Sequence, residues 1–409
     1  MNIRELSLKE FNEFRNSSPY DNFYQSLNYA LVKAENGYEY EIIGLCDGDK
    51  IYGAAVVIVG LLDGYIYAYM PRGMIIDYSN AELVQKFTDA IYKYYKKEGI
   101  AFIKINPPIK VAQVNYNTGE KEYYMDNYQL IKTLEAAGYT KLLDNIYFES
   151  VLPRFNPIVD LDNYKFENLS KNTKNKIRRG IRKGLTFEKG RIDNIHYLEE
   201  FVKNKVKRGS FYYNDYYNIF QRDNTIDYFL IGIDHNAYMM NTQEAYAREK
   251  ENNEIISKRL RQKPGNRNIN IKMNSDKTLL AYKNDIALAS KHINDEKKYI
   301  AGALVIRHGD TATIIISGYD KVFSSFAPNY FLYYSILEYY KGKVKYVDLN
   351  GISGDFSKDN KYHGLNRFKL GFKPTVYEYI GEFDLIINER VYNHLYKKGY
   401  LNEEFNNEN

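Results

Sequence analysis

The spacing of apolar positions changes several times along the chain, and each change marks an element. Tyr38–Leu45 and Lys50–Leu61 read as adjacent strands around a turn at Asp47-Gly48-Asp49. Gly64–Met70 is a further strand, ending at Pro71-Arg72-Gly73. Asn80–Lys97 places Leu83, Phe87, Ile91 and Tyr94 or Tyr95 on one helical face. Ile100–Ile105 is a buried strand closed by Asn106-Pro107-Pro108, Tyr123–Gly138 a helix, and Tyr147–Asp160 again a strand. This alternation predicts an α/β layer structure.

A second pass begins near Tyr164. Leu169–Lys183 is helical and basic, Thr186–Glu188 opens a strand, His196–Arg208 is a helix and Tyr228–Ile233 a short strand. Much later, Tyr299–Arg307, Thr311–Tyr319, Tyr330–Tyr340 and Tyr346–Asn350 read strand, strand, helix, strand. The same order runs from Lys50 to Ile105, so the chain reads as two copies of one α/β domain. The second copy is interrupted between about Ala237 and Lys298, where Met239 to Leu260 and Leu279 to Ile293 follow 3,4 spacing around Pro264-Gly265-Asn266. That pattern predicts an antiparallel helical hairpin; its weakly apolar seam leaves an irregular loop as the other reading.

Composition narrows the class. At 409 residues the chain is too long for one ordinary core. No stretch approaches the roughly 20 apolar residues of a membrane span, and Met1–Glu10 lacks the make-up of a secretory signal. One cysteine, Cys46, excludes an internal disulfide and fits a reducing cytoplasm. Six histidines without HExxH or CxxC spacing give no support to a metal site. The net charge of +5 is unevenly placed: Lys165–Arg191 holds ten Lys/Arg against two Glu, a net +8, and Tyr246–Lys298 holds thirteen against seven acids, a net +6. Such clusters attract phosphate-rich partners or are simply solvated helix faces.

The last third carries the most specific pattern. Asp348-Leu349-Asn350-Gly351-Ile352-Ser353-Gly354 precedes Gly364-Leu365-Asn366-Arg367-Phe368-Lys369-Leu370-Gly371-Phe372, followed by Tyr379-Ile380-Gly381-Glu382-Phe383-Asp384-Leu385. Earlier lie Phe23-Tyr24-Gln25-Ser26 with Lys33, and Tyr69-Met70-Pro71-Arg72-Gly73 with Asp77. Together, in this order, they resemble the FemABX family of aminoacyl-tRNA-dependent peptidoglycan peptidyltransferases over about residues 1–385. Tyr29 replaces that family's Trp and Met74 its Pro.

The resemblance implies two tandem GNAT-like domains with a helical arm inserted in the second. On that reading the first domain spans 1–160 with C-terminal strand exchange over 375–409, the second 161–237 plus 299–385, and the arm 238–298. The implied reaction moves an amino acid from aminoacyl-tRNA to the stem-peptide amine of a precursor, lipid II or UDP-MurNAc-pentapeptide, without cofactor or metal. The protein is then expected in the cytoplasm, with peripheral contact at the inner membrane face. Lys369 is the expected oxyanion contact, on a strand with Phe368 as channel wall; pairing of Lys369 with Glu382 is its structural alternative. Lys33 and Arg208 (or its neighbour Lys207) are candidates for the precursor's phosphates. Arg72 and Asn106 are counted with them at the substrate site, Arg72 with the structural role of pinning its own loop by bonding backbone carbonyls. Asn106 stands where some members carry an acid, so no base is expected there. Lys174, Arg178 and Arg179 on the basic helix are candidates for tRNA. Two other readings stay open. An acyl-CoA N-acyltransferase would need a Q/R-x-x-G-x-G/A turn, which neither half shows. A non-catalytic RNA-binding protein would use the basic segments alone.

Overall fold

The structure, a computed structural model, describes residues 1–146, 151–203, 212–293 and 298–401. Its first part runs β1 (Asn2–Glu5), α1 (Leu8–Asn16), α2 (Leu27–Glu35), β2 (Glu39–Asp47), β3 (Lys50–Leu62), β4 (Tyr65–Met70), β5 (Ile75–Ile76), α3 (Ala81–Lys97) and β6 (Phe102–Ile105). There follow β7 (Lys110–Val114), β8 (Lys121–Tyr123), α4 (Met125–Ala136), β9 (Thr140–Lys141) and β10 (Phe155–Asp160). The second part holds α5 (Lys171–Arg182), β11 (Leu185–Lys189), α6 (Ile195–Val202), α7 (Tyr212–Gln221), β12 (Ile226–Ile233), α8 (His235–Gln262) and α9 (Asn266–His292). It continues through β13 (Lys298–His308), β14 (Thr311–Tyr319), α10 (Pro328–Tyr340), β15 (Tyr346–Asp348), α11 (His363–Leu370), β16 (Thr375–Tyr379), β17 (Phe383–Ile386) and α12 (Glu389–Lys397).

Two mixed sheets result, and they share a plan. In the first, β2, β3 and β4 pair antiparallel and β4 then pairs parallel with β6 across the α3 crossover. In the second, β12, β13 and β14 do the same, and β14 pairs parallel with β15 across α10. The crossover helices pack as their periodicity requires: Val84, Phe87, Ile91 and Tyr95 of α3 are buried, as are Phe331, Leu332, Ile336 and Tyr340 of α10.

The sheets do not follow the chain halves. Their orders are β1-β2-β3-β4-β6-β17-β9, and β11-β12-β13-β14-β15-β10-β16-β7-β8. A C-terminal strand thus sits inside the first sheet, while β7, β8 and β10, all within 1–160, belong to the second. A third core binds the layers: Phe11, Phe23, Tyr29 and Val56 pack with Leu198, Tyr216, Phe220 and Leu304 from the second part. An interface filled like a core leaves little room for sliding.

Two local expectations change. The Phe368–Lys369 pair lies on a helix, α11, not on a strand. Leu365, Phe368 and Phe372 are spaced three and four apart, the helical period, which the neighbouring strand-like motif obscured. The hairpin forms as two helices of 28 and 27 residues. Its weak apolar seam is supplemented by Asn253, whose Nδ2 donates to Ser275 Oγ at 2.9 Å and Asp276 Oδ1 at 2.8 Å.

Helix α11 ends on a close approach. A Cβ on Gly371 would overlap the hydroxyl of the buried Thr173 on α5, and Ser170 N donates to Gly371 O at 3.3 Å. Gly371→Ala is therefore expected to destabilise the protein by about 1–3 kcal/mol in urea unfolding. In a Thr173→Ala background the added cost should nearly vanish; an equal cost in both backgrounds would contradict the contact.

Candidate functional site

A cavity of about 360 Å³ lies where the two sheets meet. Its walls come from distant parts of the chain: Tyr24 and Lys33 from the opening segment, Tyr69 and Lys104 from the first sheet, Ile315 and Asn350 from the second. Leu152 and Pro153, then Tyr400 and Leu401, complete it. Phenol rings dominate, with Tyr29, Tyr38, Tyr67, Tyr212 and Tyr216 also present. Rings of this kind offer flat apolar area and a polar tip, the mix expected of a site for a large amphiphilic ligand.

The opening motif is built to hold this wall. Ser26 caps α2 by accepting from Tyr29 N at 3.2 Å, which sets the turn that carries Lys33. The Lys33 ammonium lies 5.4 Å from the ring centres of both Tyr29 and Tyr38. Gln25 is fully buried: its Nε2 donates to Pro71 O at 2.8 Å and Val56 O at 3.1 Å, and its Oε1 accepts from Val56 N at 2.8 Å. One amide thus fixes the Pro-Arg-Gly turn against the central strand β3.

Arg72 reaches out of its turn. Its φ of +47° turns the backbone sharply, and its amide N–H donates to Asn106 Oδ1 at 2.8 Å. The guanidinium donates from Nη2 to Pro153 O at 2.6 Å and stacks 4.3 Å from the centre of the Tyr379 ring. Tyr379 belongs to the second sheet, so the side chain bridges the layers. Asn106 also accepts from Tyr69 Oη at 3.1 Å, and its buried Nδ2 has no hydrogen-bond partner among the described residues. An amide held this way fixes the turn and offers no proton acceptor.

The Asp348–Gly351 loop reaches the floor of the cavity through Asn350. Parallel pairing of β14 with β15 ends at Thr313 and Asp348, after which the strands part and Asn350 Nδ2 donates to Ile315 O at 3.2 Å. Lys369 is buried beneath, donating from Nζ to Gly351 O at 2.8 Å and Asn350 O at 3.1 Å. Burial pushes the Asp348 carboxyl above its usual range, against the opposing pull of Asn156, the Asn350 N–H and the cations Lys369 and Arg72. Lys369 does not itself line the cavity; the loop that it clamps does. Phe368 does not line this cavity either. Its ring packs into the second core, 4.7 Å from Tyr333 and 4.9 Å from Tyr330, because a helix turns consecutive residues about 100° apart.

The basic helix stands one helix away. Lys174 Nζ donates to Glu167 O at 2.7 Å, and the Arg178 guanidinium lies 5.6 Å from the Phe166 ring centre. Lys176 lies near Arg179 and near Arg367 of α11; desolvation and these two like charges lower its pKa. Among the described residues none of Lys176, Arg178, Arg179 and Arg367 forms an ion pair, so the patch is open to an anion. Arg208 lies outside the described residues. No group of three or more His, Cys, Asp or Glu placed to hold a metal occurs among the described residues. No described helix is long and apolar enough to cross a membrane.

The model of the FemAB family matches residues 6–397. The chain belongs to that family. It is 24% identical over 415 residues to the Lipid II:glycine glycyltransferase of Staphylococcus aureus strain MRSA252, covering 96% of this chain and 94% of that one. The same identity and coverage hold over 410 residues for the protein of that name from strain USA300. A crystal structure of FemX superposes with a TM-score of 0.71 at 21% identity, over 97% of this chain and 100% of the other. That likeness shows a shared fold.

A set of buried charge pairs inside the first sheet has no counterpart among the pairings singled out from sequence. Lys104, buried within the apolar run Phe102–Ile105, pairs with Asp384 at 3.0 Å and Glu382 at 3.4 Å. Glu382 is thereby taken by Lys104, not by Lys369, and its other oxygen accepts from Val151 N at 3.0 Å. Desolvation alone would lower the Lys104 pKa, but Asp384 and Glu382 together raise it. A lone lysine in an apolar strand is the sequence signal for such a buried pair. Lys104→Met is expected to cost about 3–5 kcal/mol in urea unfolding, because it strands two carboxylates. Adding Glu382→Gln and Asp384→Asn should recover most of that loss; no recovery would show that the pairing is not the cause.

Proposed function

We propose that the protein moves an amino acid from aminoacyl-tRNA to the amine of a peptidoglycan precursor's stem peptide, building the interpeptide bridge, with lipid II as acceptor. The observation that carries this reading is the family match over 6–397, together with curated relatives named as lipid II:glycine glycyltransferases. The cavity and the basic patch support it, since a two-substrate transfer needs one site for each large partner.

The chemistry is substitution at an activated acyl group. The amine nitrogen attacks the ester carbonyl carbon, and the carbonyl electrons move onto oxygen. The tetrahedral oxyanion then collapses, breaking the bond to the ribose oxygen, which leaves as the hydroxyl. The proton lost by the amine goes to solvent or to that ribose oxygen, in keeping with the absence of an acid at Asn106. Alignment of two large substrates supplies much of the rate, of order 7–11 kcal/mol in ideal intramolecular cases.

Each candidate then has a place. Lys33, and Arg208 beyond the described residues, meet the precursor's phosphates, and Arg72 and Asn106 hold the wall beside them. The acceptor arm of the tRNA lies on α5 and the adjoining Arg367, with its charged end reaching the loop at Asn350. Lys369 places its positive charge under that loop, where it stabilises the oxyanion and fixes the peptide groups that face it.

The direct test is one incubation of purified protein with mixed charged tRNAs and lipid II, read by mass for the added residue. Lys369→Met should lower kcat by about 10²–10³-fold with KM for either substrate little changed, and Lys369→Arg should restore part of it. An undiminished kcat in Lys369→Met would remove this residue from the mechanism. Charge reversal at Lys174, Arg178 and Arg179 should raise KM for aminoacyl-tRNA far more than KM for the precursor, and the more so at low salt. Equal effects on both would reject the assignment of α5.

A further inference from the structure

No cavity-lining residue comes from the α8–α9 hairpin, and its two ends differ in kind. The base is anchored to the second sheet's helices. Lys183 Nζ on the loop after α5 donates to Tyr238 Oη at 2.8 Å and pairs with Asp285, while Asn241 Nδ2 donates to Ile181 O at 3.1 Å. Past the Asn253–Ser275 rung, among the described residues, the hairpin makes no hydrogen bond or ion pair with another element. From Thr242 to Gln262 the arm extends on the order of 30 Å at helical rise.

The tip, Ile255 to Met273, carries six Lys/Arg and no Asp or Glu. Lys272 pairs with Asp276 just beyond it; Lys258, Arg259, Arg261, Lys263 and Arg267 form no ion pair among the described residues. Interleaved with these cations are aliphatic side chains in water: Ile255 is 65% exposed, Met273 50%, Ile269 43% and Ile271 38%. On α9 the stripe continues at Leu280, 60% exposed and seven residues after Met273. Two features thus coincide on one protrusion, unneutralised positive charge and uncovered aliphatic surface.

These features together select a partner. A nucleic acid backbone rewards the cations but leaves the isoleucines in water. An acidic apolar protein surface or a second copy would have to cover both faces of a slender arm, and a second copy brings like charge. An anionic phospholipid surface satisfies both demands, with Lys and Arg at the headgroups and aliphatic chains in the interfacial layer. We propose that the hairpin tip docks on an anionic phospholipid surface. This does not depend on the transfer chemistry, although it would bring the cavity to an acceptor that resides in the membrane.

The chain has no tryptophan, so Ile269→Trp places a single indole at the tip of the full-length protein. Its emission should shift to the blue with vesicles of phosphatidylcholine plus phosphatidylglycerol, and brominated acyl chains should quench it. Binding should be at least about tenfold weaker to phosphatidylcholine alone. Ile255→Ser with Met273→Ser, or Lys258→Gln with Arg259→Gln and Arg261→Gln, should each weaken anionic-vesicle binding by about tenfold. If either set unfolds the hairpin by circular dichroism, the Ile269→Trp chain alone carries the test. Absence of a blue shift with anionic vesicles overturns the proposal. So does binding indifferent to the aliphatic substitutions, a blue shift produced only by tRNA, or one produced only by self-association without lipid. A protein that transfers no amino acid yet shows the shift would fail as the enzyme proposed above and still support docking.

Discussion

A buried ammonium cannot stand alone, and the first sheet of this protein is closed around one. Lys104 sits on a central strand of the first sheet with almost no access to water, and its two partners, Glu382 and Asp384, are supplied from the far end of the chain. The carboxylates stand at the start of β17, which lies hydrogen-bonded along β6. Pairing the charge and completing the sheet are therefore one event. Immediately beside it, Asn106 and Arg72 fasten the Pro-Arg-Gly turn to Tyr379 in the second sheet. The cavity forms where these ties leave a gap, so its shape follows from polar bonds as much as from apolar packing.

The same economy governs the floor. Parallel strands that separate after three paired positions expose backbone groups that a continuous ladder would consume. The Asp348–Gly351 loop occupies that opening, and Lys369 clamps it from below while remaining out of the cavity. Arrangement of the loop by a charged residue links the helix that carries it, α11, to the site. Because α11 also contacts the start of α5 through Gly371 and Thr173, the basic patch and the cavity floor share one rigid support.

Much of this was legible in the sequence, and the limits have physical causes. Period-two and period-3.6 patterns locate the central strands, α3, α10 and both hairpin helices, because each buries one face. Motif order identifies the family. Pairings between residues hundreds of positions apart leave no local trace, so the Lys104 partners and the placement of β7 and β8 in the second sheet were invisible. Phe368 and Lys369 were misread as a strand because the flanking motifs are strands. Once helical, they point apart, one into the core and one under the loop. The open cations Lys176 and Arg367 were hidden for a related reason: only folding brings α5 and α11 side by side.

The interlaced sheets also bear on how the chain is made. A ribosome delivers residues in order, and β6 waits beside an empty slot until Phe383–Ile386 has emerged. Until then the nascent first layer keeps an unpaired edge and an unmatched lysine, conditions that invite adhesion to other chains. Biogenesis of this protein should thus place the final collapse after Phe383–Ile386 has emerged, and a stop codon shortly ahead of residue 383 would leave a product unable to close.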